Sequence, residues 1–595
     1  MVASPPQFSS TKTPKSSTRS KRPDPAKARW IIKTAPDEHD ARIAQSCGIS
    51  PVTAAILRVR GFDSVESVRC FLEPELCGLH DPMTLPDVEI AVARLHRAIV
   101  AKEPMLVYGD YDVDGVTSTA MLVRALGSLG ANVSWRIPER HGEGYGVNAT
   151  AMEEVAASGI TLVLTADCGV RDIEAVQRAV DLGMDVIVTD HHEPGETLPP
   201  ALAVINPKRH DSVYQWKELS GCGVAFKLMQ ALIQAHWPQH ANGFWEKFID
   251  LVALSTIADC VPLKDENRIL AREGLKRLAS TKKHGLVALK KSSGLKEGGE
   301  TLRGSDVGFR LGPRLNAAGR LDSPQKSLRL LLSSDAAECQ ALAEELEGWN
   351  TRRREVEREM LTEACALVDM QSDLSRDLAI VVIGDNWHGG VVGLVASRLA
   401  ERFCRPTLVF NRSGETATGS GRSFAGFDLH EVVEETKSFQ LKGGGHSAAC
   451  GMTIHADKWD DFKDRVLEVA AKRLTLDDCV PLVEADCEVT GRDLSLQLAH
   501  DLEKLQPCGN SNEEPSLVLR GAKIISGKSL GARGEHLKWN ILADGQSFEA
   551  VWWRPGDRAD GMNVNDVVDI CFAPEINVWN GNTRLQLVVK DAKKK

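Results

Sequence analysis

Between residues 104 and 190 the chain alternates two hydrophobic periods. Short apolar runs, Met105–Gly109, Val133–Ile137, Thr161–Ala166 and Asp185–Thr189, are separated by stretches of helical period, among them Val116–Leu129 and Val170–Leu182. Strands without polar alternation are buried on both faces, so this pattern predicts a parallel sheet covered by helices on both sides. In such a sheet, function collects beyond the carboxyl ends of the strands.

Residues 221–281 read as mainly helical. Asp335–Met370 reads as one long charged helix, carrying Arg352, Arg353, Arg354 and Arg358, that connects two domains. A second α/β unit follows, with a strand at Leu378–Ile383, a helix at Gly390–Arg402 and a strand at Thr407–Phe410. Gly419–Arg422 and Gly443–His446 read as glycine-rich turns. From about Val480 short alternating strands with Gly/Asn turns, such as Ser516–Ile525 and Ile576–Val589 around Asn580-Gly581, predict a small antiparallel barrel.

Length and composition agree with several domains. With 595 residues the chain exceeds one hydrophobic core, and at roughly 100–200 residues per domain it holds about three or four. No stretch approaches the roughly 20 apolar residues that cross a bilayer, and residues 1–29 lack the apolar run of a signal peptide. The 14 cysteines form no Cys-x-x-Cys pair. That spacing argues against a zinc ribbon or a disulfide framework, so a reducing cytoplasm is the expected setting.

Net charge is −10, which argues against a general positive coat for duplex DNA but leaves room for a local basic groove. Residues 1–29 run against the average, with Lys12, Lys15, Arg19, Lys21, Arg22, Lys27 and Arg29 against Asp24 alone. Their Ser/Thr/Pro-rich composition predicts a disordered basic tail. The expected order is that tail over 1–29, the parallel-sheet domain with an N-terminal extension over 30–334, the connecting helix over 335–370, a second α/β domain over 371–475 and the barrel over 476–595.

Candidate chemistry gathers at the strand ends. Asp110, Asp112 and Asp114 alternate in the turn after the first strand, Asp167 ends the third, and Asp190, His191 and His192 end the fourth. Asp259 closes the helical segment Leu251–Ala258. An N-cap would use one Asp rather than three, and an EF-hand needs a later Glu that is missing here. Crowded like charges require cations or donors. Mostly carboxylate ligands with one or two imidazoles suit Mn2+ or Mg2+, and the number of acids suggests two ions sharing a bridging carboxylate.

The motifs Asp-Tyr-Asp-Val-Asp-Gly (110–115), Thr-Ala-Asp-Cys-Gly (165–169), Asp-His-His (190–192) and Ala-Asp-Cys-Val-Pro-Leu (258–263) resemble the DHH phosphoesterase superfamily. Gly312–Arg320, Trp387–Gly393, Gly419–Ser423 and Gly443–Gly451 resemble its RecJ branch of single-stranded-DNA-specific exonucleases, and the likeness runs over roughly residues 45–590. The stretch 506–515, Gln-Pro-Cys-Gly-Asn-Ser-Asn-Glu-Glu-Pro, resembles the lead-in to that family's OB domain.

The resemblance implies an α/β parallel-sheet DHH catalytic domain, a long helix, a DHH-associated α/β domain and an OB-type barrel. It implies one ion on Asp114, Asp167, His191 and Asp259, and a second on Asp112 and Asp167 with Asp110 nearby. His192 would either stand behind a metal ligand or contact phosphate, and Asp190 would orient the site. Arg314, Ser420 and Arg422 would hold a 5′-terminal phosphate, with His388 and His446 as further phosphate contacts. The implied activity is 5′→3′ hydrolysis of single-stranded DNA to mononucleotides in repair and recombination, with a single-strand-binding protein and a helicase as partners and no membrane association. In the barrel, Trp539, Phe548, Trp552, Trp553 and Trp579, with Lys538 and Arg554, suit either base stacking or a core. Two other readings stand beside this one: a small-molecule DHH hydrolase, and an inactive scaffold that binds single strands.

Overall fold

The computed structural model describes residues 28–139, 146–295, 301–579 and 581–595. The expected disordered tail therefore lies, up to residue 27, outside the described residues, as does Asn580 of the last hairpin. The chain divides into two compact units, one of Trp30–Glu355 with Leu482–Lys595, the other containing Val356–Pro481. The helix Ala336–Gln371 runs unbroken through the division.

The first unit is built on a five-stranded sheet, ordered Asn132–Arg136, Pro104–Gly109, Leu162–Ala166, Asp185–Thr189, Ala203–Ile205, with every pair parallel. Successive residues of a strand face opposite sides, and both sides are buried here. Met105 and Val107 enter one core, with the helices Val88–Ala101, Val113–Ser128, Gly221–His236 and Ala241–Ala258. Leu106 and Tyr108 enter another, under Ala149–Ala157 and Ile173–Asp181. The three-residue strand Ala203–Ile205 and the helix Ala149–Ala157 go beyond the sequence reading. Pro104–Gly109 comes first in sequence but second in the sheet, so the chain departs in opposite directions on its two sides. That switch point opens a crevice beyond the ends of Pro104–Gly109 and Leu162–Ala166.

Five strands, Leu517–Leu530, His536–Ala543, Gln546–Trp552, Asn582–Lys594 and Val567–Trp579, close into a barrel when the last pairs with the first. It is not purely antiparallel: Gln546–Trp552 and Asn582–Lys594 run parallel, because the chain crosses the barrel before closing it. Leu482–Val489 adds to the sheet in parallel, and Arg29–Thr34 lies at its edge. The helices Glu38–Cys47, Pro51–Val59 and Val65–Leu72 bury Ile43, Ile56, Leu57 and Phe71 in the same core as Leu519, Ile541 and Phe572 of the barrel. The sequence reading groups this segment with the parallel-sheet domain; its apolar face is instead matched by the barrel.

The second unit holds a sheet ordered Gln440–Gly445, Ala449–His455, Thr416–Arg422, Thr407–Ser413, Ile380–Asp385, parallel only in the last pair. Two expected turns are corrected here: Gly419–Arg422 lies within a strand, and Gly443–Gly445 ends another. A Cβ at Gly419 would meet the Phe410 ring at 2.5 Å, and one at Gly421 would meet Cys450 Sγ at 2.6 Å. These glycines mark close approach of backbone to side chains, not a bend.

Candidate metal centre

The acids of the catalytic sheet converge at the switch point. The turn after Pro104–Gly109 is tight enough that a Cβ on Gly115 would lie 2.4 Å from the Asp110 carbonyl oxygen. Asp112 caps the helix Val113–Ser128, its Oδ1 accepting the N–H groups of Asp114 at 2.8 Å and Gly115 at 3.1 Å. The N-cap and metal-ligand readings of this cluster are therefore compatible in one residue, since capping uses one oxygen only. Asn316 Oδ1 accepts the Val113 N–H at 3.1 Å and pins the same helix start from the side.

Asp114 is the most firmly held. The start of the helix Gly221–His236 donates two N–H groups to its carboxylate, from Gly221 at 2.7 Å and Cys222 at 2.8 Å, and Ser255 Oγ donates at 2.6 Å. A helix N-terminus favours a nearby anion. Asp167 follows its strand in the left-handed region, φ 65°, which Asp tolerates better than most residues. It sits so close to the same helix start that a Cβ on Gly221 would meet its Oδ1 at 2.6 Å.

His191 lies at the centre. Its Nε2 is 3.2 Å from Asp167 Oδ1, 3.6 Å from Asp259 Oδ2 and 3.7 Å from Asp114 Oδ2. Asp110, Asp112 and Asp167 bring one oxygen each within 4.8 Å of one another, as do the donor atoms of Asp114, His191 and Asp259. Asp190 is buried and turned away: its Oδ1 accepts from the backbone of His191 and His192 and pairs with His192 Nδ1 at 2.7 Å, while Oδ2 accepts the Val170 N–H. It orients the two histidines, as a carboxylate behind a ligand does.

Burial, followed by the neighbouring carboxylates, pushes Asp167, Asp112 and Asp259 above the usual acid range. Burial acts the same way on Asp190, but the hydrogen bond and charge of His192 outweigh it and bring the carboxyl to about 2. That bond also raises His192 against its burial, whereas burial lowers His191. A divalent cation fits this donor set. Asp167 Oδ1 is buried and accepts no hydrogen bond among the described residues, and crowded acids with raised pKa values are what a bound cation relieves.

Residues 104–256 match the DHH family N-terminal domain, 376–472 the DHHA1 domain and 485–591 the RecJ OB domain. The single-stranded-DNA-specific exonuclease RecJ of Bacillus subtilis (strain 168) is 37% identical over 571 residues, covering 95% of this chain and 71% of that protein. The chain belongs to the RecJ family. RecJ of Escherichia coli (strain K12) is 35% identical over 565 residues, covering 91% of this chain and 95% of that protein. The crystal structure of RecJ in complex with Mn2+ from Thermus thermophilus superimposes with a TM-score of 0.81 at 32% identity, over 96% of this chain and 80% of that one. A Mg2+ complex from the same source gives a TM-score of 0.76 at 31% identity, over 96% of this chain and 79% of that one.

The remaining expected residues of this RecJ-family chain divide between the units. Arg314 is committed within the first: its guanidinium forms an ion pair with Glu347, and Nη1 donates to the Arg310 carbonyl at 2.6 Å. A nearly buried guanidinium requires such partners. Ser420 and Arg422 share the second unit with the helix Val392–Phe403, whose Gly393 would carry a Cβ 2.8 Å from Arg422 Nη2 and 3.5 Å from Ser420 Oγ. His388 accepts the Gly390 N–H through Nδ1 at 3.1 Å, just before that helix. His446 is exposed in the turn after Gln440–Gly445. In the barrel Trp539, Phe548 and Trp552 are core residues, whereas Trp553 is 52% exposed; the side chain of Trp579 lies outside the description. Sequence reading missed Gly221, Ser255 and Asn316. Only Ser220-Gly-Cys-Gly, an N-cap signal before an apolar helix, pointed toward any of them.

Proposed function

We propose that this chain hydrolyses single-stranded DNA from its 5′ end, releasing 5′-mononucleotides, with two divalent cations at the catalytic sheet. The observation that carries the reading is Asp167: its carboxylate belongs both with Asp110 and Asp112 and with His191. Relatives 34–37% identical over most of this chain are named single-stranded-DNA-specific exonucleases, which supports the substrate.

Asp114, Asp167, His191 and Asp259 would hold one ion, Asp112 and Asp167 the other, with Asp110 beside it. Bound there, Mn2+ or Mg2+ supplies activation of water and charge neutralisation at the scissile phosphate. His192, whose pKa the Asp190 hydrogen bond and charge raise against its burial, would donate to a phosphate oxygen and stabilise the charge that develops during attack. In the second unit Ser420, Arg422 and the helix start at Val392 would receive the 5′-terminal phosphate, Arg422 by charge-assisted hydrogen bonds. His388 and His446 would lend further donors there; Arg314, in the first unit, would separately contact a phosphate of the strand by exchanging Glu347 for it. Trp553, with Lys538 and Arg584 lining the same groove of the barrel, would stack a base. We further infer a cytoplasmic role in DNA repair and recombination, beside a single-strand-binding protein and a helicase.

The test uses oligonucleotides labelled at either end, single- and double-stranded, with Mn2+, Mg2+ or EDTA. Labelled mononucleotide is expected first from the 5′ label, only from single strands and only with a divalent ion. Early release from the 3′ label would reverse the polarity. Arg422→Ala should reduce the preference for 5′-phosphorylated over 5′-hydroxyl strands by roughly tenfold or more, the worth of a hydrogen bond to a charged group. A variant that kept the full preference would remove Arg422 from end recognition.

A further inference from the structure

Asp259 differs from the other acids of the metal centre in what holds it. Asp114 and Asp112 each accept backbone N–H groups that fix their carboxylates. Among the described residues no hydrogen-bond donor reaches the Asp259 carboxylate; it lies 3.6 Å from His191 Nε2. It stands at the end of the helix Ala241–Ala258, its own N–H bonded to the Ser255 carbonyl at 2.9 Å. The next residue, Cys260, turns the chain through the left-handed region at φ 59°. The aim of Asp259 is therefore set by the backbone of 259–263.

That backbone is clamped from 250 residues away in sequence. Asn510 Nδ2 donates to the Cys260 carbonyl at 2.6 Å, and the Asn510 carbonyl accepts the Leu263 N–H at 2.9 Å. Ser511 Oγ donates to Asn510 Oδ1 at 3.1 Å and so turns the amide nitrogen toward Cys260. Gly509 lets the loop close in: a Cβ there would stand 2.7 Å from Leu263 Cδ1. The clamp is itself rigid. Asn512, buried behind it, donates to the Leu505 and Pro507 carbonyls at 2.9 and 2.8 Å and accepts from Arg60 Nη1 at 2.6 Å. Buried Arg268 donates to the carbonyls of Lys504, Leu505 and Gln506.

We propose that Asn510, in the loop leading into the barrel, is a positioning residue for Asp259 and tunes the affinity of the ion that Asp259 holds. The inference rests on the metal reading above and adds to it a dependence of that ion on the docking of the barrel's lead-in loop. A group behind a ligand typically changes metal affinity measurably without touching the ion.

The experiment titrates Mn2+ into the metal-free full chain, following free Mn2+ by electron paramagnetic resonance, for wild type, Asn510→Ala, Asn510→Leu and Asp259→Ala. Leu matches the shape of Asn without its donor, and both Asn510 variants keep the main-chain bond to Leu263, so melting in EDTA should move little. Expected are two Mn2+ in wild type and one site weakened roughly two- to tenfold in both Asn510 variants, the worth of one hydrogen bond. The other site should stay unchanged. Excess Mn2+ should restore kcat, with KM for single-stranded DNA unmoved. Wild type binding fewer than two Mn2+ would remove the metal reading itself. Wild type binding two, with Asp259→Ala losing a site and both Asn510 variants matching wild type, would overturn the positioning role alone. Equal weakening of both sites, or an Asp259→Ala variant that still binds two, would also count against it.

Discussion

Asp112 and Asp190 show how single carboxylates divide their oxygens between fold and chemistry. One oxygen of Asp112 closes the helix start, and Asp190 spends one oxygen on the histidine turn and the other on the Val170 N–H. Asp167, by contrast, keeps a buried oxygen with no hydrogen bond among the described residues. Asp167→Ala should therefore abolish cleavage and lower the Mn2+ stoichiometry, while single-strand binding weakens only modestly; product release and a filter-binding assay would check both halves. The raised pKa values give a second expectation. Asp112, Asp167 and Asp259 sit above their unfolded values through burial and mutual repulsion. In the metal-free protein their contribution is fully present below about pH 4 and lost as pH rises through the folded values. A divalent ion removes that penalty by replacing protons. The rise in Tm on adding Mn2+ should thus be larger at pH 8 than at pH 5, and an equal rise at both would contradict the charge crowding.

Among the elements, the helix Gly221–His236 controls the site without supplying a ligand. Its first turn donates to Asp114 and presents Gly221 to Asp167. Gly221→Ala should displace Asp167 and weaken Mn2+ binding at least about tenfold, with Tm in EDTA lowered by only a few degrees; calorimetric titration and thermal melting would separate the effects. This helix also marks the limit of what the sequence discloses. Asp110, Asp112, Asp114, Asp167, His191 and His192 are legible because each directly follows an apolar run, and strand ends of one parallel sheet share an edge. Ser255 and Asn316 are not, because they reach the site across 141 and 203 residues of sequence and no local pattern records the meeting. The strand Thr416–Arg422 misleads for a different reason. Its glycines are there for the Phe410 ring and Cys450, so a packing requirement imitates a turn signal.

At the scale of the whole first unit, Arg268 ties three parts of the chain together. It stacks on Phe71 at 3.5 Å and donates to the carbonyls of Phe71, Lys504, Leu505 and Gln506, and burial brings its pKa to about 9. Arg268→Met would remove this shared charged donor from the Phe71, Lys504 and Gln506 carbonyls, while the Leu505 carbonyl keeps Asn512. A loss of roughly 2–4 kcal/mol in stability is expected, with new proteolytic cleavage near residues 504–512; denaturant melts and limited digestion would test it.

The shared core of residues 43–72 and the barrel has a consequence in time. A ribosome makes this chain from its amino end, and Ile56, Leu57 and Phe71 emerge roughly 450–500 residues before Leu519 and Phe572. At roughly 5–20 residues per second that interval is on the order of 20–100 s. For all of it the apolar face of the three N-terminal helices has no partner from its own chain. Synthesis of this protein therefore carries an interval of exposed hydrophobic surface that closes only when the barrel is made.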